Sequence, residues 1–231
     1  MAQRSLTQMT LPKVQMAHVG TYEGYTPRFS PNKFSKLQKL IHKKKLHFYK
    51  PPPLPKNGQK TLVLDMDETL VHASLFPPHP SVNYFTLDDG TIVYTRPGLD
   101  EFINFAVNHF EVFIYTYAER CYAEPVLDII APMIDEDHRL YRDSCIVKKD
   151  IVIKDLTMLN RNLNKLIFVD DNDMYLKTNK ENTIVIPMWK GIPNDKALTE
   201  WLIPILQTCI NSSDVRDVIK SVENRVRRYT L

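Results

Sequence analysis

Four short apolar runs along the chain are typical of strands that are buried in a parallel sheet. They are TLVLD (61–65), EVFIYT (111–116), KLIFVD (165–170) and TIVIP (183–187). Apolar residues also recur at helical spacing in four segments, which are residues 98–110, 119–131, 195–209 and 214–226. Strands that alternate with helices in this way predict an α/β fold, in which a parallel, Rossmann-like sheet is covered on both faces.

A different pattern separates the first strand from the first helix. The segment NYFTLDDGTIVYTRP (83–97) contains two short β-prone stretches around Asp88-Asp89-Gly90, a sequence that favours a tight turn. It predicts a small β-hairpin insertion next to the carboxyl edge of the sheet.

The first 59 residues predict a separate arm. Apolar residues from Phe34 to Phe48 share one helical face while lysines occupy the rest, which is typical of a short amphipathic helix. PPPLP (51–55) then ends any helix and forms a stiff, extended spacer. We therefore predict an N-terminal arm (1–59) and a catalytic domain (60–231).

Charge is distributed unevenly between these two parts. Residues 1–64 contain 12 Lys and Arg with one acid, whereas residues 65–231 contain 18 Lys and Arg with 26 acids. A protein partner in a large complex is the first expectation for this basic arm, and nucleic acid or anionic lipid accounts for the same lysines. The sequence contains no apolar run of about 18 residues, so we expect no transmembrane segment.

The cellular location is read from the start of the chain. Residues 1–22 contain no acid and several hydroxyl side chains, which is typical of a mitochondrial presequence. A mitochondrial location is therefore one expectation, and a nuclear or cytoplasmic location is the alternative.

Acidic residues follow two of the predicted strands. Asp65 ends the first strand and is followed by Asp67, while Asp170 and Asp171 end another strand. Because the carboxyl ends of parallel strands meet at one edge, these four carboxylates should lie close together and repel one another unless a cation balances them. Oxygen ligands of this kind suit Mg²⁺.

The same residues predict phosphate chemistry. With a metal present, one acid can attack phosphorus while its neighbour donates a proton, so that hydrolysis of a phosphate ester proceeds in two displacements. Such a site also needs a hydroxyl group and a lysine for the phosphoryl oxygens. Thr116 ends the second strand, and Lys154 lies between that strand and the one that ends at Asp170.

Several motifs in this order resemble one enzyme family. The series DMDET, IYT, IKDL and VDD resembles the haloacid dehalogenase superfamily of phosphotransferases. More narrowly, TLVLDMDETLVHAS, YTRPGLDEF, LYRDSC, IKDLTMLNR and FVDDND are similar to the small phosphatases of the RNA polymerase C-terminal-domain and nuclear-LIM-interactor type. The similarity covers about residues 60–222, and it implies the haloacid dehalogenase fold.

The resemblance implies a role for each matched residue. Asp65 would be phosphorylated during turnover, and Asp67 would act first as a general acid and then as a general base. The phosphoryl group would be bound by Thr69, Thr116 and Lys154, and Arg142 matches an arginine that faces the substrate.

A magnesium site is implied by the same motifs. Asp171 would bind Mg²⁺ together with the Asp65 carboxylate and the backbone carbonyl of Asp67. Asp170 would orient Lys154 or support the metal.

The chain departs from the family pattern where the family builds its proline-reading pocket. Leu75 stands where an aromatic residue is usual, and Glu119 stands where an apolar residue is expected. These two differences argue against the polymerase tail as the substrate.

Two functions are compatible with these motifs. The first is a Mg²⁺-dependent protein phosphatase that acts on phosphoserine or phosphothreonine through an aspartyl-phosphate intermediate. The alternative is a docking subunit of a large assembly, because a related receptor of the mitochondrial import machinery keeps the fold and a proline-rich lead-in without the nucleophilic acid. Here Asp65 is retained.

Overall fold

A five-stranded parallel sheet forms the centre of the described part of the chain. The computed structural model describes residues 49–55, 58–74, 80–148, 151–172 and 179–229. The amphipathic segment of the arm and Leu75 lie outside these residues, so the predicted division at residue 59 stays a prediction. In the described part, no helix is both long and apolar enough to cross a bilayer.

The secondary structure of the described residues consists of strands, four α-helices and several short helical turns. The strands are β1 (Lys60–Leu64), β2 (Val71–Ser74), β3 (Tyr84–Thr86), β4 (Ile92–Thr95), β5 (Phe110–Tyr115), β6 (Arg139–Leu140), β7 (Ile146–Lys148), β8 (Ile151–Ile153), β9 (Leu166–Asp170) and β10 (Thr183–Val185). The α-helices are α1 (Leu99–His109), α2 (Arg120–Ile130), α3 (Ile203–Ile210) and α4 (Val215–Tyr229). A π-helical segment, Ala197–Leu202, leads directly into α3.

The central sheet has the order β10-β9-β1-β5-β6, and every neighbouring pair is parallel. The four strands predicted from apolar runs are therefore confirmed, as is the α/β fold class. The short edge strand β6 was not predicted, because a strand of two residues has no recognisable sequence pattern.

Alternate residues of the strands divide the core between the two faces of the sheet, as the period of two in a strand requires. Leu62, Leu64 and Ile114 belong to a large buried cluster that includes residues from all four α-helices. Val63, Phe113 and Phe168 belong to a smaller cluster on the opposite face, which short helical turns and Tyr49 help to cover. Burial on both faces explains why these strands are apolar throughout rather than alternating.

Two small antiparallel sheets flank the central one. The predicted hairpin forms as β3 and β4, and β2 adds a third strand, which gives the order β2-β4-β3. The second sheet is the pair β7 and β8, which immediately precedes Lys154. That pair was not predicted, because each strand has only three residues.

The proline-rich segment lies against the body. Pro52 is buried, and the guanidinium of Arg161 donates to the carbonyl oxygens of Pro52 and Pro53 at 3.1 and 3.2 Å. Arg161 is itself paired with Glu111, whose carboxylate oxygens accept at 2.5 and 2.7 Å. Burial raises the pKa of Glu111, but hydrogen bonds from Arg161, His138 and Thr61 together with the charge of Arg161 outweigh burial and lower that pKa to about 2.

Candidate active site

The neighbouring strands β1 and β9 bring the two acidic motifs together. Leu64 pairs with Val169, and the backbone N–H of Asp65 donates to the carbonyl oxygen of Val169 at 2.9 Å. Asp65 therefore continues β1 beside Asp170, the last residue of β9. Because the strands are parallel, both carboxylates leave the sheet at the same edge, as the sequence predicted.

The ammonium group of Lys154 bridges these carboxylates. Its Nζ donates to Asp65 Oδ1 at 2.5 Å and to Asp170 Oδ2 at 2.7 Å. All three residues are buried, with 6% of Asp65, 2% of Lys154 and none of Asp170 exposed. Burial alone would lower the pKa of Lys154, but the two negative neighbours outweigh that effect and raise it.

A third carboxylate, that of Asp171, joins the cluster. One oxygen from each of Asp65, Asp170 and Asp171 lies within 4.8 Å of the others. The hydroxyl of Thr69 lies 3.4 Å from Asp65 Oδ2 and 3.4 Å from Asp171 Oδ1. Burial and the negative charge of Asp65 raise the pKa of Asp171 to about 6, and the same two causes raise the pKa of Asp170.

The loop between β1 and β2 carries Asp67 and Thr69 and is held at two carbonyl groups. Glu68 has a left-handed backbone conformation with φ of 56°, and its carbonyl oxygen accepts from the N–H of Trp189 at 2.8 Å. The carbonyl of Thr69 accepts from the buried guanidinium of Arg96 at 3.0 Å. Arg96 is fixed in turn by two bonds to Asp195, at 2.8 and 3.0 Å. These contacts set the position of both functional side chains.

The Asp67 side chain contacts helix α2. Its Oδ1 accepts a hydrogen bond from the hydroxyl of Tyr122 at 2.9 Å. Burial is the main cause that raises the pKa of Asp67 to about 7, and the charge of Asp65 adds to it. The Tyr122 hydrogen bond acts in the opposite direction. Asp67 thus combines a fixed orientation with a protonation equilibrium near neutral pH.

Thr116 and Arg142 line the same cavity of about 660 Å³, together with Asp65, Asp67, Lys154 and Asp171. Thr116 is buried, and its hydroxyl oxygen accepts from the N–H of Ala118 at 2.9 Å. The guanidinium of Arg142 contacts Glu119 at 2.9 Å and the carbonyl of Tyr117 at 2.7 Å.

The predicted site residues thus meet at one edge of the sheet, although their individual contacts differ. Asp65, Lys154, Asp170, Asp171 and Thr69 form one contiguous group. The side chain of Asp67 lies apart from the acidic oxygen cluster, and Arg142 is paired with a neighbouring acid. The roles of these residues stay predictions.

Two further residues contribute to the site. Tyr122 lies in the first turn of α2, where the sequence alone is equally compatible with a place at the substrate entrance and with ordinary packing. Arg96 was not predicted to support the site, since nothing in the sequence TRPG (95–98) indicates a buried arginine.

The donor set fits a divalent cation. The cluster offers only carboxylate oxygens, and the single ammonium of Lys154 balances one of three potential negative charges. Oxygen-only ligands with residual negative charge are what Mg²⁺ binds in proteins. The residues therefore suit the magnesium site that the motifs imply.

Comparisons with known proteins point to one family. The model of the family described as NLI interacting factor-like phosphatase matches residues 60–216. A probable C-terminal domain small phosphatase of Dictyostelium discoideum is 37% identical over 179 residues, which cover 75% of this chain and 58% of that protein. A mitochondrial import inner membrane translocase subunit, tim50 of Neurospora crassa, is 32% identical over 167 residues, which cover 71% of this chain and 29% of that protein.

A solved structure of Fcp1, an essential RNA polymerase II CTD phosphatase, is also similar. It is 22% identical with a TM-score of 0.46, and the alignment covers 82% of this chain and 55% of Fcp1. The chain thus spans less than two thirds of the length of each of these three proteins.

Asp171→Asn should stabilise the metal-free protein at pH 8 by about 1–2 kcal/mol, because the folded state raises the pKa of this carboxyl and so disfavours its ionised form. The gain should vanish as pH falls from about 6 towards the ordinary value of 3.8, where Asp171 becomes protonated in both states. Mg²⁺ should raise the melting temperature of the wild type more than that of the variant. Chemical unfolding across this pH range, with and without Mg²⁺, measures both effects.

Asp88→Asn, which changes an exposed carboxylate in the hairpin turn, is the matched control. An Asp171→Asn protein that is less stable than the wild type without metal would contradict this account. So would a variant whose melting temperature rises with Mg²⁺ as much as that of the wild type.

Proposed function

The chain belongs to the NLI interacting factor-like phosphatase family, and on that premise we propose that it is a Mg²⁺-dependent phosphatase for phosphoserine or phosphothreonine in proteins. One observation carries this proposal. Lys154 bridges Asp65 and Asp170 at hydrogen-bond distance, in a cavity that Asp67, Thr116 and Asp171 also line. A nucleophile, a proton donor, phosphate ligands and an acidic metal site are therefore available to one substrate.

Asp65 is the nucleophile of the proposed reaction. Its carboxylate oxygen forms a bond to phosphorus while the bond from phosphorus to the seryl or threonyl oxygen breaks. The Lys154 ammonium donates a hydrogen bond to the buried Asp65 carboxylate and offsets charge that develops on the phosphoryl oxygens. The hydroxyls of Thr69 and Thr116 are available as further donors to those oxygens.

Asp67 handles the proton in both displacements. It donates its proton to the departing seryl oxygen, which yields the free hydroxyl and an aspartyl phosphate on Asp65. The resulting Asp67 carboxylate then accepts a proton from the water that attacks phosphorus, so that phosphate leaves and both acids return to their initial states. A pKa of about 7 suits a group that must both give and take a proton near neutral pH.

The family motifs imply the magnesium ligands of the proposed site. Asp65 and Asp171 would supply carboxylate oxygens, and Asp67 would supply its backbone carbonyl. Both oxygens of Asp170 already accept hydrogen bonds, from Lys154 at 2.7 Å and from the N–H of Asn172 at 2.8 Å, which supports an orienting role for Asp170. When bound, Mg²⁺ supplies positive charge to the phosphoryl oxygens.

A docking function is the second candidate. The similarity to the Neurospora crassa tim50 subunit supports it and supports a mitochondrial location, while a nuclear or cytoplasmic location stays the alternative. In this case the basic arm would bind a protein partner in a large complex, with nucleic acid and anionic lipid as the other partners compatible with its charge. Retention of Asp65, Asp67 and Lys154 favours the phosphatase.

Asp65→Asn should abolish turnover, because the amide cannot act as the nucleophile at phosphorus. We expect wild-type protein with Mg²⁺ to hydrolyse p-nitrophenyl phosphate and a phosphoserine peptide, and the variant to lose at least on the order of a thousandfold in kcat. Steady-state kinetics with and without EDTA measures this loss and the metal requirement.

Asp100→Asn, at an exposed position of α1, is the matched control and should retain wild-type kinetics. Folded wild-type protein that hydrolyses neither substrate would refute the phosphatase proposal and leave the docking function. Unchanged turnover by Asp65→Asn would refute the assignment of the nucleophile.

Tyr122→Phe should slow the reaction more for a substrate whose leaving group must be protonated than for one whose leaving group departs as an anion. The substitution removes the hydroxyl that fixes the Asp67 carboxyl but keeps the ring. A departing serine needs that proton, whereas p-nitrophenolate leaves without it, so we expect kcat/KM to fall about tenfold or more for a phosphoserine peptide and much less for p-nitrophenyl phosphate. The quotient of the two kcat/KM values measures the effect.

Tyr117→Phe serves as the comparison, since Tyr117 lines the same cavity. It should change both kcat/KM values by the same factor. Equal losses on both substrates in Tyr122→Phe would show that Tyr122 only supports packing.

A further inference from the structure

The mouth of the cavity carries an ion pair that the proposed mechanism does not use. Arg142 Nη1 donates to Glu119 Oε1 at 2.9 Å, and Arg142 Nε donates to the carbonyl of Tyr117 at 2.7 Å. The guanidinium carbon also lies 4.6 Å from the centre of the Tyr117 ring. The side chains of Arg142 and Glu119 are 40% and 44% exposed, so the pair faces solvent at the cavity wall.

The backbone fixes this pair relative to the reacting groups. Thr116 accepts from the N–H of Ala118, and the carbonyl of Ala118 accepts from the N–H of Arg142 at 3.0 Å. Glu119 immediately precedes α2, three residues after Thr116. One short turn therefore carries Thr116, a phosphate ligand of the proposed site, at one end and Glu119, the acid of the ion pair, at the other.

Charge around the cavity is dominated by acids. Among the described residues that line it, the only Lys or Arg residues are Lys154 and Arg142, whereas the acids are Asp65, Asp67, Glu68, Glu119 and Asp171. Lys154 is buried between Asp65 and Asp170. Arg142 is therefore the solvent-exposed basic side chain among the described lining residues, and Glu119 offsets its charge.

We propose that Glu119 determines substrate specificity, by making the cavity prefer phosphorylated sites with basic neighbours over sites with acidic neighbours. This inference rests on the proposed phosphatase function and names the class of its protein substrate. An apolar residue at position 119 would leave the guanidinium of Arg142 unbalanced and attractive to an acidic neighbour. Glu119 cancels that attraction and leaves Glu68, an acid of the cavity lining that the proposed mechanism does not use, to set the sign of the local field.

The expected effect is modest because the pair is partly exposed. For unit charges about 5–8 Å apart at a partly exposed site, between the limits for bulk water and for a protein surface, we expect about fivefold in kcat/KM, which is roughly 1 kcal/mol. The effect should weaken with salt, since the Debye length is only about 10 Å at 0.1 M ionic strength.

The test uses three phosphoserine peptides that differ only in the two residues on each side of phosphoserine, which are Lys, Gln or Glu. We expect the wild type to cleave the Lys peptide about three- to tenfold more efficiently than the Glu peptide, with the Gln peptide between them. Glu119→Gln keeps the shape of the side chain but removes its charge, so the quotient of Lys to Glu kcat/KM should fall about threefold or more. High salt should lower the wild-type quotient towards one.

Glu200→Gln is the matched control, because Glu200 forms an exposed ion pair with Lys196 and does not line the cavity. It should keep the wild-type quotient. A wild type that hydrolyses p-nitrophenyl phosphate but shows no preference for the Lys peptide, or a Glu119→Gln protein that keeps the wild-type quotient, would overturn the inference. A wild type without activity on any of these substrates would instead overturn the proposed function.

Discussion

The buried ammonium of Lys154, held between Asp65 and Asp170, is the interaction on which the site depends. Two carboxylates at this depth are costly to ionise unless a cation accompanies them. Lys154 balances one charge, and Asp171 adds a third carboxyl group within reach. The fold thus holds a group of acids with a residual negative charge, which makes the site suited to a divalent cation and fixes the carboxylate of Asp65, the proposed nucleophile.

The rest of the architecture maintains this arrangement. The parallel pairing of β1 with β9 places Asp65 beside Asp170, and Lys154 directly follows β8. Arg96 and the N–H of Trp189 hold two successive carbonyls of the loop that carries Asp67 and Thr69. Because these anchors are buried in the core, the side chains proposed to act on the substrate are positioned before any substrate binds.

Features of the structure could be predicted from the sequence where they depend on neighbouring residues, and not where they depend on contacts between residues far apart along the chain. Fully buried strands such as β1 and β9 were predictable because both of their faces require apolar residues, and the acids were conspicuous because they end those strands. The pair β7–β8 is too short for periodicity to reveal. The contact between Tyr122 and Asp67 and the ion pair between Glu119 and Arg142 join residues 55 and 23 positions apart, so only the folded chain brings them together. Glu119 could be singled out as a departure from the family pattern, but its partner could not.

The most direct test of this account is to locate the phosphoryl group during turnover. Wild-type protein that is turning over a phosphopeptide with Mg²⁺ can be quenched in acid, digested and analysed by mass spectrometry, with hydroxylamine used to identify an acyl phosphate. The account predicts a hydroxylamine-sensitive phosphoryl group on Asp65. A phosphoryl group on a different residue, or continuing turnover without any phosphorylated enzyme, would contradict it.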